Sequence, residues 1–169
     1  MNIRFATQKD TVETCALVQE AFGEEGDLIS ELVADMISAE DSLIWVEENS
    51  GIRGLVGASR ARVESAGEGF WVLAPLGVSS DSQGLGIGGA LVRHCLQELR
   101  GNGAHGVFVY GDPGYYGRFG FSFEDASPVK APFDLEFPEG WLALLWKPIE
   151  SEGSSSLRVT APLNKPGLW

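Results

Sequence analysis

Cysteine is scarce in this chain: Cys15 and Cys95 are the two present among 169 residues. Both fall on the apolar stripes of segments with helical spacing. That points to buried free thiols, and away from a disulfide framework or a thiolate metal site. Long apolar runs are missing as well, and the longest stretches fall well short of the ~18 residues that a membrane span needs. The opening "MNIRFATQKD" has no apolar core of the kind a signal peptide carries. A cytoplasmic location is the expectation. Positive charge is in short supply, with 12 Lys and Arg against 24 Asp and Glu and a formal net charge of −12. Nucleic acids and anionic membranes require a basic footprint, so neither is expected as a partner. No internal repeat is visible, and low complexity is confined to "EGSSS" at residues 152–156.

What is present has the composition of a globular protein, 44% hydrophobic and 21% charged. The length suits a single domain over residues 1–169 with a core of its own. A strand "NIRFA" meets Thr7, placed as a helix N-cap with Asp10 three residues on, as in a capping box. The helix that follows runs to about Phe22, with Cys15, Val18 and Phe22 on its inner face and Gly23 as its stop. After "GEEGD" a second helix aligns Leu28, Leu32 and Met36. The period then changes to that of strands, in "SLIWVEE", "IRGLVGASRARVE" and "FWVLAPLGV", joined by short turns as an antiparallel meander. A glycine-rich stretch, a helix through Arg100, the stop "GNG" and the strand "GVFVYG" complete a strand-helix-strand crossover, whose strands normally pair in parallel. Further on come "GDPGYYGRFGF", a Pro-rich stretch over 128–138, the strand "WLALLW" and a last strand near Leu157 to Ala161. The fold class is α/β or α+β, with a mixed sheet and few helices.

The glycines invite a chemical reading. Residues 84–89, "GLGIGG", hold four glycines in six positions. Leu91, Val92, Cys95, Leu96 and Leu99 form one apolar stripe, which starts the helix near Gly88 or Gly89. Backbone N–H groups at a helix start lack internal partners, and glycine lets an anion approach them closely. Two readings stay open at this point: a cradle for a diphosphate, or a tight strand-to-helix connection. The literal G-x-G-x-x-G also suggests a dinucleotide fingerprint, with Asp112 as its ribose-binding acid. Against this, five residues separate Val78 from Gly84, and the motif follows three meander strands. Only 57 residues remain after Asp112.

Gln83-x-x-Gly86-x-Gly88 matches the Q/R-x-x-G-x-G/A signature of the GNAT acyl-CoA N-acyltransferases, and "PLGV" precedes it as in that family. Residues 116–121, "YGRFGF", match its Y-x-x-x-G-F. The wording "LAPLGV…QGLGIG…GDPGYYGRFGF" resembles a bacterial subgroup of GNAT acetyltransferases, and the order of elements is similar over nearly the whole chain. The resemblance implies a mixed sheet of about six to seven strands, a splayed parallel pair at the cofactor and about four helices. It implies that Gln83, Gly84, Leu85, Gly86, Ile87, Gly88 and Gly89 hold the diphosphate of acetyl-CoA. Main-chain groups of Leu76, Gly77 and Val78 would pair with the pantetheine arm. Asp112 stands where the family usually has an asparagine, and with Tyr115 it is counted among the cofactor contacts. Tyr116 matches the family's general acid, with Tyr115 beside it as the alternative.

The implied reaction is direct attack of a primary amine on the thioester. An oxyanion would be met by a strand amide such as that of Val78, and a thiolate would leave. A phenol stays protonated at neutral pH and can supply the proton. The plain alternative for Tyr116 is a packed loop aromatic. The amine must also lose a proton, which costs about 4–5 kcal/mol at pH 7 for a pKa near 10.4. By analogy with the family, Glu24, Glu25 and Asp27 would line the acceptor side as candidate bases, although each reads more readily as a solvated surface residue. Asp112 is another candidate, whose place before Pro113 also suits a turn. "FWVLAPLGV" contains no acid, and His105 reads as a solvated loop residue. Arg93, Arg100 and Arg118 are candidates for the 3′-phosphate. No metal is expected. The acceptor would be a small-molecule or peptide amine, with a homodimer as one possible assembly. The competing function is a CoA-binding or sensor module of the same fold without turnover.

Overall fold

Three apolar segments separated by three-residue turns become consecutive strands: β2 (Ser42–Glu48), β3 (Ile52–Val63) and β4 (Gly67–Val78) follow a short β1 (Ile3–Phe5). Helices α1 (Thr11–Phe22) and α2 (Gly26–Ser38) separate β1 from β2. The helix α3 (Ile87–Gly101) carries the chain from β4 to β5 (Gly106–Tyr110). Two single-turn helices follow, α4 (Pro113–Tyr116) and α5 (Phe123–Ala126), then β6 (Val129–Lys130), β7 (Trp141–Leu145) and β8 (Ser155–Val159). The computed structural model describes residues 1–150 and 153–169, so Glu152 of the serine-rich stretch lies outside the described residues. The strands are hydrogen-bonded in the order β1-β2-β3-β4-β5-β7, with β8 beside β3 and β6 beside β8. β1 and β2 are antiparallel, as are β5 and β7. β4 and β5 are parallel, with Phe70, Trp71 and Val72 opposite Gly106, Val107 and Phe108, and β4 runs on to Val78. A parallel pair requires a crossover, and α3 supplies it. The expected mixed sheet is therefore present.

The chain divides into two compact units, Met1–Ala58 with Ala74–Gln97, and Ser59–Leu73 with Glu98–Trp169. In the first, Leu17, Val18, Leu32, Val33, Met36, Trp45 and Leu55 are buried. The inner face of α1 differs from the expected one. Thr14, Leu17 and Val18 are buried, whereas Cys15 and Phe22 are half-buried. Thr14 is cheap to bury because its hydroxyl donates to the Asp10 carbonyl at 2.8 Å. Both cysteines are free thiols, and Cys95 is fully buried as expected. A close approach occurs at Gly57, where an added Cβ would run into the Ala74 carbonyl and lie 2.7 Å from Met36 Cε.

Ion pairs centred on two arginines sit within this unit. The Glu47 carboxylate, 1% exposed, accepts from Arg53 Nε and Nη2 at 2.8 and 2.7 Å. Arg4 donates to both Asp10 and Glu48, and Asp10 Oδ2 also accepts the Thr7 N–H at 2.7 Å. The anticipated pairing of Thr7 with Asp10 is therefore real, although it initiates a 3-10 turn, Gln8–Asp10, ahead of α1.

In the second unit, Phe70, Phe108, Trp141, Leu142 and Leu157 are buried, and the Phe108 and Trp141 rings stack at 5.2 Å. β8 begins two residues before the expected position. Buried Ser155 accepts the Ser65 N–H at 2.9 Å and pairs opposite Val129.

The Arg4 guanidinium and the Thr7 N–H hold the Asp10 carboxyl at about 2, below its ordinary 3.8. A group depressed in the folded state adds stability above its unfolded value and loses it as pH falls through the folded one. Urea unfolding should show stability level down to about pH 4 and falling between pH 4 and 2. Asp10→Asn should cost about 2 kcal/mol at pH 7, at 1.36 kcal/mol per unit. Equal midpoints for the variant and the wild type at pH 7 would contradict this.

Candidate active site

The end of β4 turns through a 3-10 segment, Ser80–Ser82, into the glycines. Gly84 and Gly86 both adopt φ of +78°, which side-chain-bearing residues rarely take, and nothing lies within 4 Å of a Cβ built on either. α3 begins at Ile87, slightly earlier than the apolar stripe suggested, and the Ala90 N–H makes the first helical bond, to the Gly86 carbonyl at 3.0 Å. Helix geometry leaves the N–H groups of Ile87, Gly88 and Gly89 without an acceptor inside the helix. Their dipoles add to the field at that end, worth about 0.3–1 kcal/mol for a nearby negative charge. Leu85 stands 59% exposed between the two left-handed glycines. Backbone donors, open space and a helix start fit a diphosphate.

The surroundings fix this approach from several sides. Gln83 Nε2 donates to the Val78 carbonyl at 3.3 Å, closing the turn between β4 and the glycines. The Ser79 N–H donates to the Arg53 carbonyl at 2.9 Å. On α1, Glu20 Oε1 accepts from both the Ser80 N–H and the Ser80 hydroxyl. Beneath the first turn of α3 lies Gly54, where a Cβ would come within 2.9 Å of Ile87 Cγ2 and 3.0 Å of Leu91 Cδ1. Gly77 plays a similar part towards α1, since its Cβ would lie 3.3 Å from Phe22 Cε2. Arg93 Nη2 is 3.0 Å from the Cβ position of Gly89, so its guanidinium lies back along the helix towards the glycines. Arg100 is eleven residues past Gly89, roughly 16 Å further along the axis.

The second motif is built on α4. Asp112 is its N-cap, with Oδ1 accepting the Gly114 N–H at 2.8 Å, and Pro113 occupies the first turn. This brings Tyr115 and Tyr116 together with ring centroids 5.0 Å apart, edge to face. Tyr116 also meets the buried Phe121 at 5.8 Å. Burial raises the Tyr116 hydroxyl well above an ordinary phenol, with the neighbouring Tyr115 as a smaller cause. Arg118 stacks its guanidinium 4.4 Å above the Tyr115 ring and donates to the Tyr115 carbonyl.

Other sequence candidates have plainer surroundings. Glu24 and Glu25 are exposed in the Gly23–Glu25 turn, and Asp27 accepts from Gln19 at 3.3 Å. His105 packs edge-on against Phe70 and lies 3.2 Å from Lys147 Nζ, so it is more enclosed than a solvated loop residue. Glu20 and Gly54 were not anticipated. A lone glycine inside a strand pattern is the signal that could have found Gly54. No local pattern marks Glu20, which is 60 residues from Ser80.

The family described as an acetyltransferase (GNAT) domain matches residues 2–123. The uncharacterized N-acetyltransferase YjhQ of Escherichia coli (strain K12) is 33% identical over 137 residues, 78% of this chain and 74% of that protein. A GNAT family acetyltransferase from Brucella melitensis, solved in complex with acetyl-CoA, is 30% identical. That match covers 91% of this chain and 93% of the other, with a TM-score of 0.72. The E. coli GNAT family N-acetyltransferase YhbS, solved with CoA, gives a TM-score of 0.83 over 97% of this chain and 92% of its own. At 22% identity that likeness speaks for the fold alone. Among the described residues no helix is long and apolar enough to cross a membrane.

A methyl group at Gly54 would press on Ile87 and Leu91. Gly54→Ala should lower stability by about 1–3 kcal/mol, as overpacking does, read as a shift in urea midpoint. An unchanged midpoint would show that α3 does not need the bare strand beneath it.

Proposed function

The chain belongs to the GNAT acetyltransferase family, and on that premise we propose that it transfers the acetyl group of acetyl-CoA to a primary amine of a small molecule or peptide. The observation that carries the donor assignment is the pair of left-handed glycines, Gly84 and Gly86, opening onto the start of α3. In this reading the N–H groups across Gly84, Leu85, Gly86, Ile87, Gly88 and Gly89 hold the donor's diphosphate, with Gln83 fixing the loop through Val78. Main-chain groups of Leu76, Gly77 and Val78 pair with the pantetheine arm, and Asp112 and Tyr115 add contacts to it. Arg93 is the cation for a phosphate, supported by its place over Gly89. On a chain of net charge −12 an anionic ligand needs local positive charge. The single domain 1–169 is proposed as the catalytic unit, since the family match over residues 2–123 draws on both compact units.

The amine nitrogen attacks the thioester carbonyl carbon, and the Val78 N–H is proposed to stabilise the oxyanion. The carbon–sulfur bond then breaks, and the departing thiolate takes the proton of the Tyr116 hydroxyl. A thiol of pKa about 8.5 is more acidic than any phenol at or above 10, so this transfer is uphill by about 2 kcal/mol or more. The proton is therefore passed as the bond breaks, and solvent restores it. Burial of Tyr116 contributes by keeping the acid protonated at every pH at which the amine is reactive. The amine proton leaves to a base or through water to one, and Glu24, Glu25 and Asp27 are the proposed acids on the acceptor side.

Thiol release from acetyl-CoA, measured with a panel of primary amines alongside calorimetry with CoA, tests the reading. Amine-dependent release is expected. Tight CoA binding with no release on a broad panel would favour a binding module. Tyr116→Phe should lower kcat at least tenfold while KM for acetyl-CoA stays within a few-fold, and an unchanged kcat would remove Tyr116 from the role. Because its hydroxyl titrates above 10, kcat should hold up to about pH 10. A descending limb centred below pH 9 would contradict Tyr116 as the acid.

A further inference from the structure

We propose that Gly111 is a positioning residue for Tyr116, and that the Pro138–Gly140 turn holds it in that role. Gly111 directly follows β5 and lies outside the left-handed region, so its backbone does not require glycine. Its missing side chain is what matters. A Cβ there would collide with Tyr116 Cε2 and stand 2.9 Å from Cδ2 and 3.5 Å from Cζ. The Tyr116 ring is therefore seated on a bare Cα, with the Tyr115 and Phe121 rings also against it.

The seat is itself fixed. The Gly111 N–H donates to the Gly140 carbonyl at 2.9 Å, and the Gly140 N–H donates to the Phe137 carbonyl at 2.9 Å. The Phe137 N–H in turn donates to the Tyr110 hydroxyl at 2.9 Å. Glycine is needed at 140 for space too, because a Cβ would lie 2.9 Å from the Gly111 carbonyl oxygen and 3.1 Å from the Tyr110 ring. Tyr110 is steadied by stacking on Trp169 at 6.5 Å, and Trp169 lies edge-on to Trp141. A four-residue helix capped by Asp112 sets the path of the backbone at Tyr116 but leaves its ring free to choose among rotamers. The bare Cα of Gly111 leaves room for the observed one, which a Cβ would block, and so sets where the phenol hydroxyl can stand.

This inference rests on Tyr116 being the acid, and a double-mutant cycle separates the two ideas. Gly111→Ala should lower kcat roughly tenfold or more with KM for acetyl-CoA within twofold. In the Tyr116→Phe background the same change should cost nothing further, because the group it displaces no longer acts. Equal losses in both backgrounds, or full kcat in Gly111→Ala alone, would overturn the inference while leaving the acid in place. Full kcat in Tyr116→Phe alone would remove the acid assignment and this inference with it. If Gly111→Ala does not fold, Tyr110→Phe releases the Phe137 N–H with little change of shape. It should lower kcat two- to fivefold in the wild-type background and not in Tyr116→Phe, and any other pattern would overturn the inference.

Discussion

The seating of the first turn of α3 on Gly54 is the contact on which the candidate donor site depends. Ile87 and Leu91 descend onto a strand position with no side chain, and the helix start is thereby held low over β3. That fixes the direction of three amides that the helix cannot use itself. Everything upstream then has to close a short gap, from Val78 to Gly84, in five residues. Gln83 closes it from within, and Glu20 and the Arg53 carbonyl brace it from α1 and β3. A helix packed one methyl group higher would carry its N-terminal field away from the end of β4.

Glycine does two different jobs in this chain. At positions 84 and 86 it provides a backbone shape, φ of +78°, with open space around it. At positions 54, 57, 111 and 140 the backbone is ordinary and glycine provides room, for α3, for the Ala74 carbonyl, for the Tyr116 ring and for the Gly111 carbonyl in turn. The first kind shapes the proposed anion cradle. The second kind sets where the cradle and the tyrosine stand, which is why substitutions far from any proposed ligand contact are expected to reach the chemistry.

Much of this was legible in the sequence because it is written locally. The bounds of "SLIWVEE" as β2 and the crossover from β4 through α3 to β5 followed from period and turn signals, and Gln83 distinguished the glycines from a dinucleotide turn. The inner face of α1 is not legible from apolar spacing, because an apolar scale undervalues Thr14, whose hydroxyl is satisfied within its own helix. The start of β8 is masked in the sequence because Ser155 and Ser156 read as loop. Both pair with β6, a partner distant in sequence, and Ser155 is buried there. The short helix α4 was hidden inside a motif, although Asp112-Pro113 is a helix-start signature in its own right. Gly111, Gly140 and Glu20 act through contacts that no window of sequence contains.

The central claim is that backbone amides at the start of α3 bind the diphosphate of CoA. Amide nuclear magnetic resonance during a titration with CoA tests it most directly. The largest shifts, with slowed exchange of the amide protons, are expected on Gly84, Gly86, Ile87, Gly88 and Gly89. Saturable CoA binding that leaves those five amides unmoved would contradict it.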